Sequence, residues 1–255
     1  MPTKQLPVDL TYLDIIKTLA VIVMVIDHLG LYFFASEDWF RAIGRIGMPV
    51  WFFMVGYAST RDLPNRLLIG AVVLAAADFL LFQKLFAINA LVTIMLLRLC
   101  IDYVMNFVTQ SRYLFYLSAV LLILLSIPTA MAVEYGTMGL LFAIAGYLVR
   151  HKEDVLELTF VTEKDFVGFM VLTFIGFCAI QNGQFGFNEA QLFVMSVFTA
   201  ITMVALVTMK PTVFPNFKNP ITKKILQYCG RHTLDIYVVH LVAFKVILFA
   251  RLALN

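Results

Sequence analysis

The chain has 255 residues, of which 62% are hydrophobic and 14% are charged. Soluble domains are about 45–50% apolar and about 25% charged. The composition therefore excludes a disordered chain, a disulfide-stabilised secreted domain and an ordinary soluble enzyme. The net charge is +3 without any basic cluster that carries interleaved aromatic residues, so nucleic acid is not an expected partner.

Apolar segments recur along the chain and predict an all-α, polytopic helical bundle in a membrane. The predicted spans are 12–34, 45–60, 65–82, 88–108, 113–132, 136–149, 166–182, 189–209 and 228–250. A span takes about 20 residues, so nine spans leave only short loops and predict one domain over 1–255. The first span lacks a small-residue cleavage site, so we expect it to stay in the membrane.

The placement of Lys and Arg predicts the orientation. With the N-terminus in the cytoplasm, twelve of these cations flank the spans on that side and four lie on the other side. Lys4 is among the twelve and Lys84 is among the four. Because cytoplasmic loops carry the excess of Lys and Arg, we expect a cytoplasmic N-terminus.

The first span holds four ionisable residues, Asp14, Lys17, Asp27 and His28. Each costs about 2.5–3.5 kcal/mol at the bilayer centre, so such residues suggest a functional site. Asp14 and Lys17 are three residues apart and can pair. Lys17 and His28 are eleven apart, which places them on one helix face with about 16 Å between them. The alternative is that Lys17 and His28 reach the headgroups at opposite surfaces.

Two further polar groups follow. Arg45 lies between Gly44 and Pro49 at the start of the second span and could pair with Asp27, or it could be an interfacial anchor. In the fourth span a weaker polar line consists of Asn89, Thr93 and Arg98. Asp78 and Asp102 could pair with Arg98, which would give all three a structural role.

The second half of the chain adds Glu134 with Tyr135, and Tyr237 with His240. Glu134 would face the outer surface or a cavity, unless it is a simple loop acid. Tyr237 and His240 are three residues apart and share a helix face. A single His in an apolar helix can also be a satisfied core residue. Asp235, just before them, could pair with Arg231 or His232.

Several other chemistries lack their motifs. The sequence has no HExxH, GxSxG, GxGxxG or Walker A pattern. Its histidines and its three cysteines do not have the spacing of a zinc site, so no metal is expected. Carboxylates and histidines within spans would also suit a proton-coupled carrier.

The order of these motifs resembles the TraX family of membrane proteins, named for the N-acetylase of conjugative pilin. The resemblance rests on Leu13-Asp14-Ile15-Ile16-Lys17, on Met24-Val25-Ile26-Asp27-His28 and on Gly44-Arg45 through Pro49. Weaker matches are Asn89, Glu134-Tyr135-Gly136 and the closing Tyr237-Val238-Val239-His240. The family usually has proline where this chain has Val238.

The pattern is also similar to that of the wider transmembrane acyltransferases, which carry a basic residue, ten residues and then His in their first helix. Lys17 and His28 fit that spacing. The resemblance implies a bacterial inner-membrane acetyltransferase that takes acetyl from cytoplasmic acetyl-CoA, with no metal. It implies as acceptor the N-terminus of a pilin subunit, or a hydroxyl or amino group of a glycan.

Each candidate residue then has an expected role. His28 would act as general base, Arg45 would stabilise an oxyanion, and Asp27 would orient a neighbour such as Arg45. The residues expected to bind the donor are Lys17, Asp14, Asn89 and Arg98. The residues expected on the acceptor side are Glu134, Tyr135, Tyr237 and His240. Direct transfer and a transient acetyl-His are both open.

Two other classes compete with this interpretation. One is a proton-coupled transporter of small solutes that uses Asp27, His28, Asp78 and Glu134 as a relay; the lack of visible inverted repeats counts against it. The other is a membrane assembly factor whose buried charges are structural.

Overall fold

The computed structural model describes residues 7–82, 88–210, 212–215 and 217–254. Lys4 and Lys84, which both contribute to the count of cations, lie outside the described residues. The described part is all-helical, with 80% helix and almost no strand. This confirms the predicted fold class.

The described residues form thirteen helices and two short strands. The helices are α1 (Tyr12–Phe33), α2 (Asp38–Arg45), α3 (Met48–Tyr57), α4 (Asn65–Phe82), α5 (Ala90–Val108), α6 (Arg112–Leu124), α7 (Ser126–Ala130), α8 (Gly136–Arg150), α9 (Lys152–Leu158), α10 (Glu163–Phe185), α11 (Glu189–Val207), α12 (Pro220–Arg231) and α13 (Thr233–Ala253). The strands β1 (Leu10–Thr11) and β2 (Val213–Phe214) pair in antiparallel register.

Six helices in the described part are long and apolar enough to cross a membrane: α1, α4, α5, α10, α11 and α13. The nine predicted spans are therefore not confirmed. The predicted span at 45–60 is divided between the end of α2 and the 10-residue α3. The one at 113–132 is divided between α6 and α7, and α8 is a shorter apolar helix. The last predicted span begins too early, because residues 228–231 end the separate helix α12.

Local capping explains where several of these helices begin. Thr11 and Asp14 form a reciprocal capping box at the start of α1, and Thr162 and Asp165 form another at the start of α10. Such boxes satisfy backbone N–H groups that have no partner in the first helical turn. Pro49 lies in the first turn of α3, where its missing N–H costs little.

The core is centred on the crossing of α3 and α8. Gly56 of α3 and Gly146 of α8 have no side chains there, so the two backbones come into direct contact. A Cβ on Gly56 would overlap the carbonyl oxygen of Ala143, and one on Gly146 would overlap that of Phe53. Small residues are the usual means by which membrane helices approach closely.

Helix α1 positions the candidate site, because it packs against α2, α12 and α13. At one end, Gly230 of α12 lies against the backbone of Asp14, and Thr18 donates a hydrogen bond to the carbonyl of Leu226 at 2.9 Å. Near the other end, Gly44 of α2 lies against Asp27. These close approaches fix the depth of α1 relative to its neighbours.

Candidate active site

Two histidines from distant parts of the chain are joined by a hydrogen bond. Nδ1 of His28 on α1 lies 2.7 Å from Nε2 of His240 on α13, and the two rings are stacked. Nδ1 of His240 lies 2.6 Å from the carbonyl oxygen of Ile236. His28 is buried, with 4% of its surface exposed.

The hydrogen-bond chain assigns the tautomers of both rings. A carbonyl oxygen can only accept, so Nδ1 of His240 carries the proton and its Nε2 is an acceptor in the neutral ring. Nδ1 of His28 must then donate to that Nε2. Nε2 of His28 is left with a lone pair, which is the form that a general base requires.

Asp27 is the centre of a buried ion cluster. Its Oδ2 accepts from Arg41 at 2.8 Å and from Arg45 at 2.9 Å. Arg41 also donates to the backbone carbonyl of Asp27 at 3.1 Å. The guanidinium groups of both arginines lie over the ring of Phe185, about 5 Å from its centroid. The cluster has one carboxylate for two arginines, so positive charge is in excess within it.

A cavity of about 470 Å³ extends along α3 and α1. At one end its wall contains the cations Lys17, Arg98 and Arg150. At the other end its wall contains Asp27 and Arg45, ten residues or about 15 Å from Lys17 along α1. Between the two ends the wall is mainly apolar. We call this the first cavity.

A second cavity of about 200 Å³ lies beyond the ion cluster. His28 lines this cavity, together with Glu134 and Gln181. Four residues line both cavities: Asp27, Arg45, Met48 and Tyr135. The ion pair of Asp27 with Arg45 is therefore part of the wall between the two cavities, and His28 lies on the second side of it.

Glu134 joins the second cavity to the start of α5. One of its carboxylate oxygens accepts from the backbone N–H of Ala90 at 2.8 Å, and Thr93 donates to its backbone carbonyl at 3.0 Å. Burial raises the pKa of Glu134, and the hydrogen bond from Ala90 opposes that rise. The adjacent Tyr135 has a positive φ of 68°, a conformation that costs energy for a non-glycine residue. Burial also raises the pKa of the Tyr135 phenol.

Comparison with known proteins gives the same family that the motifs suggested. The sequence matches the profile of the TraX protein over residues 12–248. The chain belongs to the TraX family. An uncharacterized protein of Rickettsia prowazekii (strain Madrid E) is 29% identical over 240 residues, which cover 92% of each chain. No solved structure matches the chain.

In this TraX-family chain, several polar residues have partners that differ from the predicted ones. The sequence predicts that Asp14 pairs with Lys17, but the oxygens of Asp14 accept from Arg231, at 3.0 Å and 3.1 Å, and from the backbone of Thr11. Asp14 is not among the residues that line the two cavities.

Arg98 does not form the predicted pairs. Asp102 pairs with Arg61 at 3.0 Å, and Asp78 pairs with Lys245 at 2.5 Å. Arg98 donates a hydrogen bond to the carbonyl of Thr60 at 3.1 Å and lines the first cavity. Its expected role in binding the donor stays a prediction.

The structure places the remaining candidate residues as follows. Asn89 caps α5 through Val92 and donates to the carbonyl of Ala71, and it is not among the residues that line either cavity. Tyr237, expected on the acceptor side, lines the first cavity. His240 is also expected on the acceptor side. It contacts Nδ1 of His28 and is not among the residues that line either cavity.

Asp235 forms an ion pair with Arg66 and lies 3.2 Å from Nδ1 of His232. The pairing with His232 is one of the two that the sequence suggests. Among the described residues, no three His, Cys, Asp or Glu side chains are grouped so that they could hold a metal ion.

Sequence reasoning misses several residues of these walls. Arg150 and Trp51 are not among the candidate residues predicted from the sequence, yet both line the first cavity. Gln181 falls within the predicted span at 166–182 without being singled out, and the structure places it in the wall of the second cavity. For Gln181 a signal is present, because a polar amide within the last turns of an apolar helix needs a partner.

Proposed function

We propose that this TraX-family protein is an integral-membrane acetyltransferase that moves the acetyl group of acetyl-CoA to an amine or hydroxyl acceptor. The observation that supports this proposal best is the pair of cavities that share a wall. One cavity has cations at its far end, and the other has a histidine with an available lone pair. A donor and an acceptor could therefore meet at the wall from opposite sides.

The first cavity suits a long, negatively charged donor. Phosphate groups would contact Lys17, Arg98 and Arg150 through charge-assisted hydrogen bonds. The thioester would lie about 15 Å deeper, beside Asp27 and Arg45. The predicted cytoplasmic N-terminus would open the cationic end toward the cytoplasm, where acetyl-CoA is available.

The second cavity would hold the acceptor group against His28. Nε2 of His28 would take a proton from the amine or hydroxyl while the acceptor atom forms a bond to the thioester carbonyl carbon. Arg45 would stabilise the oxyanion that develops on the carbonyl oxygen. The carbon–sulfur bond then breaks, and the proton on His28 passes to the thiolate to give CoA. His240 would hold His28 in the required tautomer, and Asp27 would hold Arg45 in place.

The N-terminal amine of a pilin subunit is the acceptor that the family's name suggests, and a glycan hydroxyl is the alternative. The two products differ in stability, because acetyl esters react with neutral hydroxylamine and acetyl amides do not. Membranes that contain the protein would be incubated with radiolabelled acetyl-CoA, and the label would be measured before and after hydroxylamine. Label that survives supports the amine, and label that is released supports the hydroxyl.

The proposal is tested first by binding, which needs no knowledge of the acceptor. Acetyl-CoA would be titrated into the purified protein in detergent by calorimetry, beside Lys17→Ala and His28→Ala. We expect micromolar binding, about −8 kcal/mol, that is much weaker in Lys17→Ala and largely kept in His28→Ala. No binding by folded wild type would refute the acetyltransferase and favour a proton-coupled transporter.

A further inference from the structure

The wall of the first cavity contains three buried hydrogen-bond donors that find no partner among the described residues. They are Nε of Arg98, Nε1 of Trp51 and Nε of Arg45. A buried donor without an acceptor destabilises the folded state, and native proteins keep few of them. Three in one cavity wall indicate that a ligand supplies the acceptors.

The three donors lie in order along the direction of α3, although Arg45 is the last residue of α2 and Arg98 belongs to α5. Arg45 lies just before the first turn of α3, and Trp51 lies in that turn. Arg98 bonds to the carbonyl of Thr60, three residues beyond the end of the helix at Tyr57. At about 1.5 Å per residue, Trp51 is about 9 Å from Tyr57 along the helix axis.

Trp51 differs from the other two donors in its chemistry. The arginines carry charge and suit phosphate or a developing oxyanion, whereas the indole N–H is a neutral donor without acceptor ability. Its neighbours in the wall are apolar, among them Met54 and Val55. A neutral donor in an apolar section of a cavity matches a neutral carbonyl on the ligand.

We propose that the indole N–H of Trp51 donates a hydrogen bond to an amide carbonyl in the arm of an acyl-CoA donor. This inference rests on the proposed function, because it places the donor in the first cavity. It adds a residue that recognises the middle of the donor, between the phosphates at Arg98 and the thioester at Arg45. Trp51 then discriminates an amide-containing arm from a purely alkyl one of the same length.

The chain offers a matched control, since its two tryptophans are Trp39 and Trp51. Trp39 on α2 is 40% exposed and is not among the residues that line either cavity. Acetyl-CoA would be titrated calorimetrically into wild type, Trp51→Phe and Trp39→Phe. Loss of a neutral hydrogen bond costs about 0.5–1.5 kcal/mol, so we expect binding that is about two- to twelvefold weaker in Trp51→Phe and unchanged in Trp39→Phe.

A second measurement uses Trp39→Phe, in which Trp51 is the sole tryptophan. Its fluorescence should change when acetyl-CoA is added. It should not change with adenosine 3′,5′-bisphosphate, which has the phosphates of the nucleotide end but no arm. This measurement keeps the proposal testable if Trp51→Phe does not fold.

The outcomes separate this inference from the proposed function. If wild type binds acetyl-CoA and Trp51→Phe binds it equally well, Trp51 has no role in recognition and the proposed function stands. An unchanged Trp51 fluorescence on acetyl-CoA binding leads to the same conclusion. If folded wild type does not bind acetyl-CoA, both are refuted.

Discussion

Replacing Asp27 by Asn should destabilise the protein far more than removing either of its arginine partners. Among the described residues, Asp27 is the single carboxylate hydrogen-bonded to Arg41 and Arg45, and the side chains of the three residues are 6%, 15% and 10% exposed. Asn keeps the shape and one acceptor oxygen but removes the negative charge. Two buried guanidinium groups would then face each other without the carboxylate that both of them bind.

The size of the effect follows from this burial. Removing one partner of a buried ion pair costs about 3–5 kcal/mol, and we expect the lower end because Asn retains an acceptor. A change of 1 kcal/mol shifts the melting temperature of a chain of this size by about 2–4 °C. We therefore expect Asp27→Asn to melt roughly 6–12 °C lower. Arg41→Gln should cost about 1 kcal/mol, because Asp27 keeps Arg45.

The assay is thermal unfolding in detergent at pH 7 for wild type, Asp27→Asn, Arg41→Gln, Arg45→Gln and the double variant of Asp27→Asn with Arg45→Gln. The double variant removes one charge of each sign, so it should be more stable than the sum of the two single effects by about 0.5–3 kcal/mol. Additive effects would refute the argument. So would an Asp27→Asn protein that melts no lower than Arg41→Gln.

Three further predictions follow from other parts of the structure. His240→Gln should leave acetyl-CoA binding unchanged by calorimetry but slow acetyl transfer to a peptide with a free N-terminus. The rate should fall by less than the about 10²–10⁴-fold expected for His28→Ala. A variant with unchanged binding and an unchanged rate would contradict the tautomer assignment. Gly56→Ala should lower stability by about 1–3 kcal/mol, because its Cβ overlaps backbone at Ala143, whereas Gly183→Ala, which meets nothing within 4 Å, should not. Glu134→Gln should raise the melting temperature at pH 8 but not near pH 4. Because the pKa of the Glu134 carboxyl is raised in the folded state, the protein loses stability as the pH rises above the group's ordinary pKa. An identical change of melting temperature at both pH values would exclude ionisation of Glu134 as the cause.

The sequence predicts the helical class and the approximate bounds of several helices, because long apolar runs mark them. The span predicted at 65–82 coincides with α4, since a long apolar run has one stable form in a bilayer. The span predicted at 45–60 is not confirmed, because the helix within it, α3, covers only the ten residues Met48–Tyr57. Gly47 and Pro49 interrupt this run, and Pro49 cannot donate the backbone hydrogen bond that a continuous helix would require.

The candidate site is predictable only where its parts lie in neighbouring segments. The pairing of Asp27 with Arg45 follows from a short connection between two helices. The contact between His28 and His240 joins residues 212 positions apart, and the contact between Asp14 and Arg231 joins residues 217 apart. Local periodicity gives the face of each helix but not which helices are adjacent, so these partners could not be inferred.

The hydrogen bond of His240 to the carbonyl of Ile236 makes the histidine pair a dead end for protons. A backbone carbonyl cannot pass a proton onward, so a proton that enters at Nε2 of His28 has no exit along this chain. It has to leave through the same nitrogen by which it arrived. Such a pair can lend a proton between two groups that meet Nε2 of His28, but it does not pass protons onward through His240.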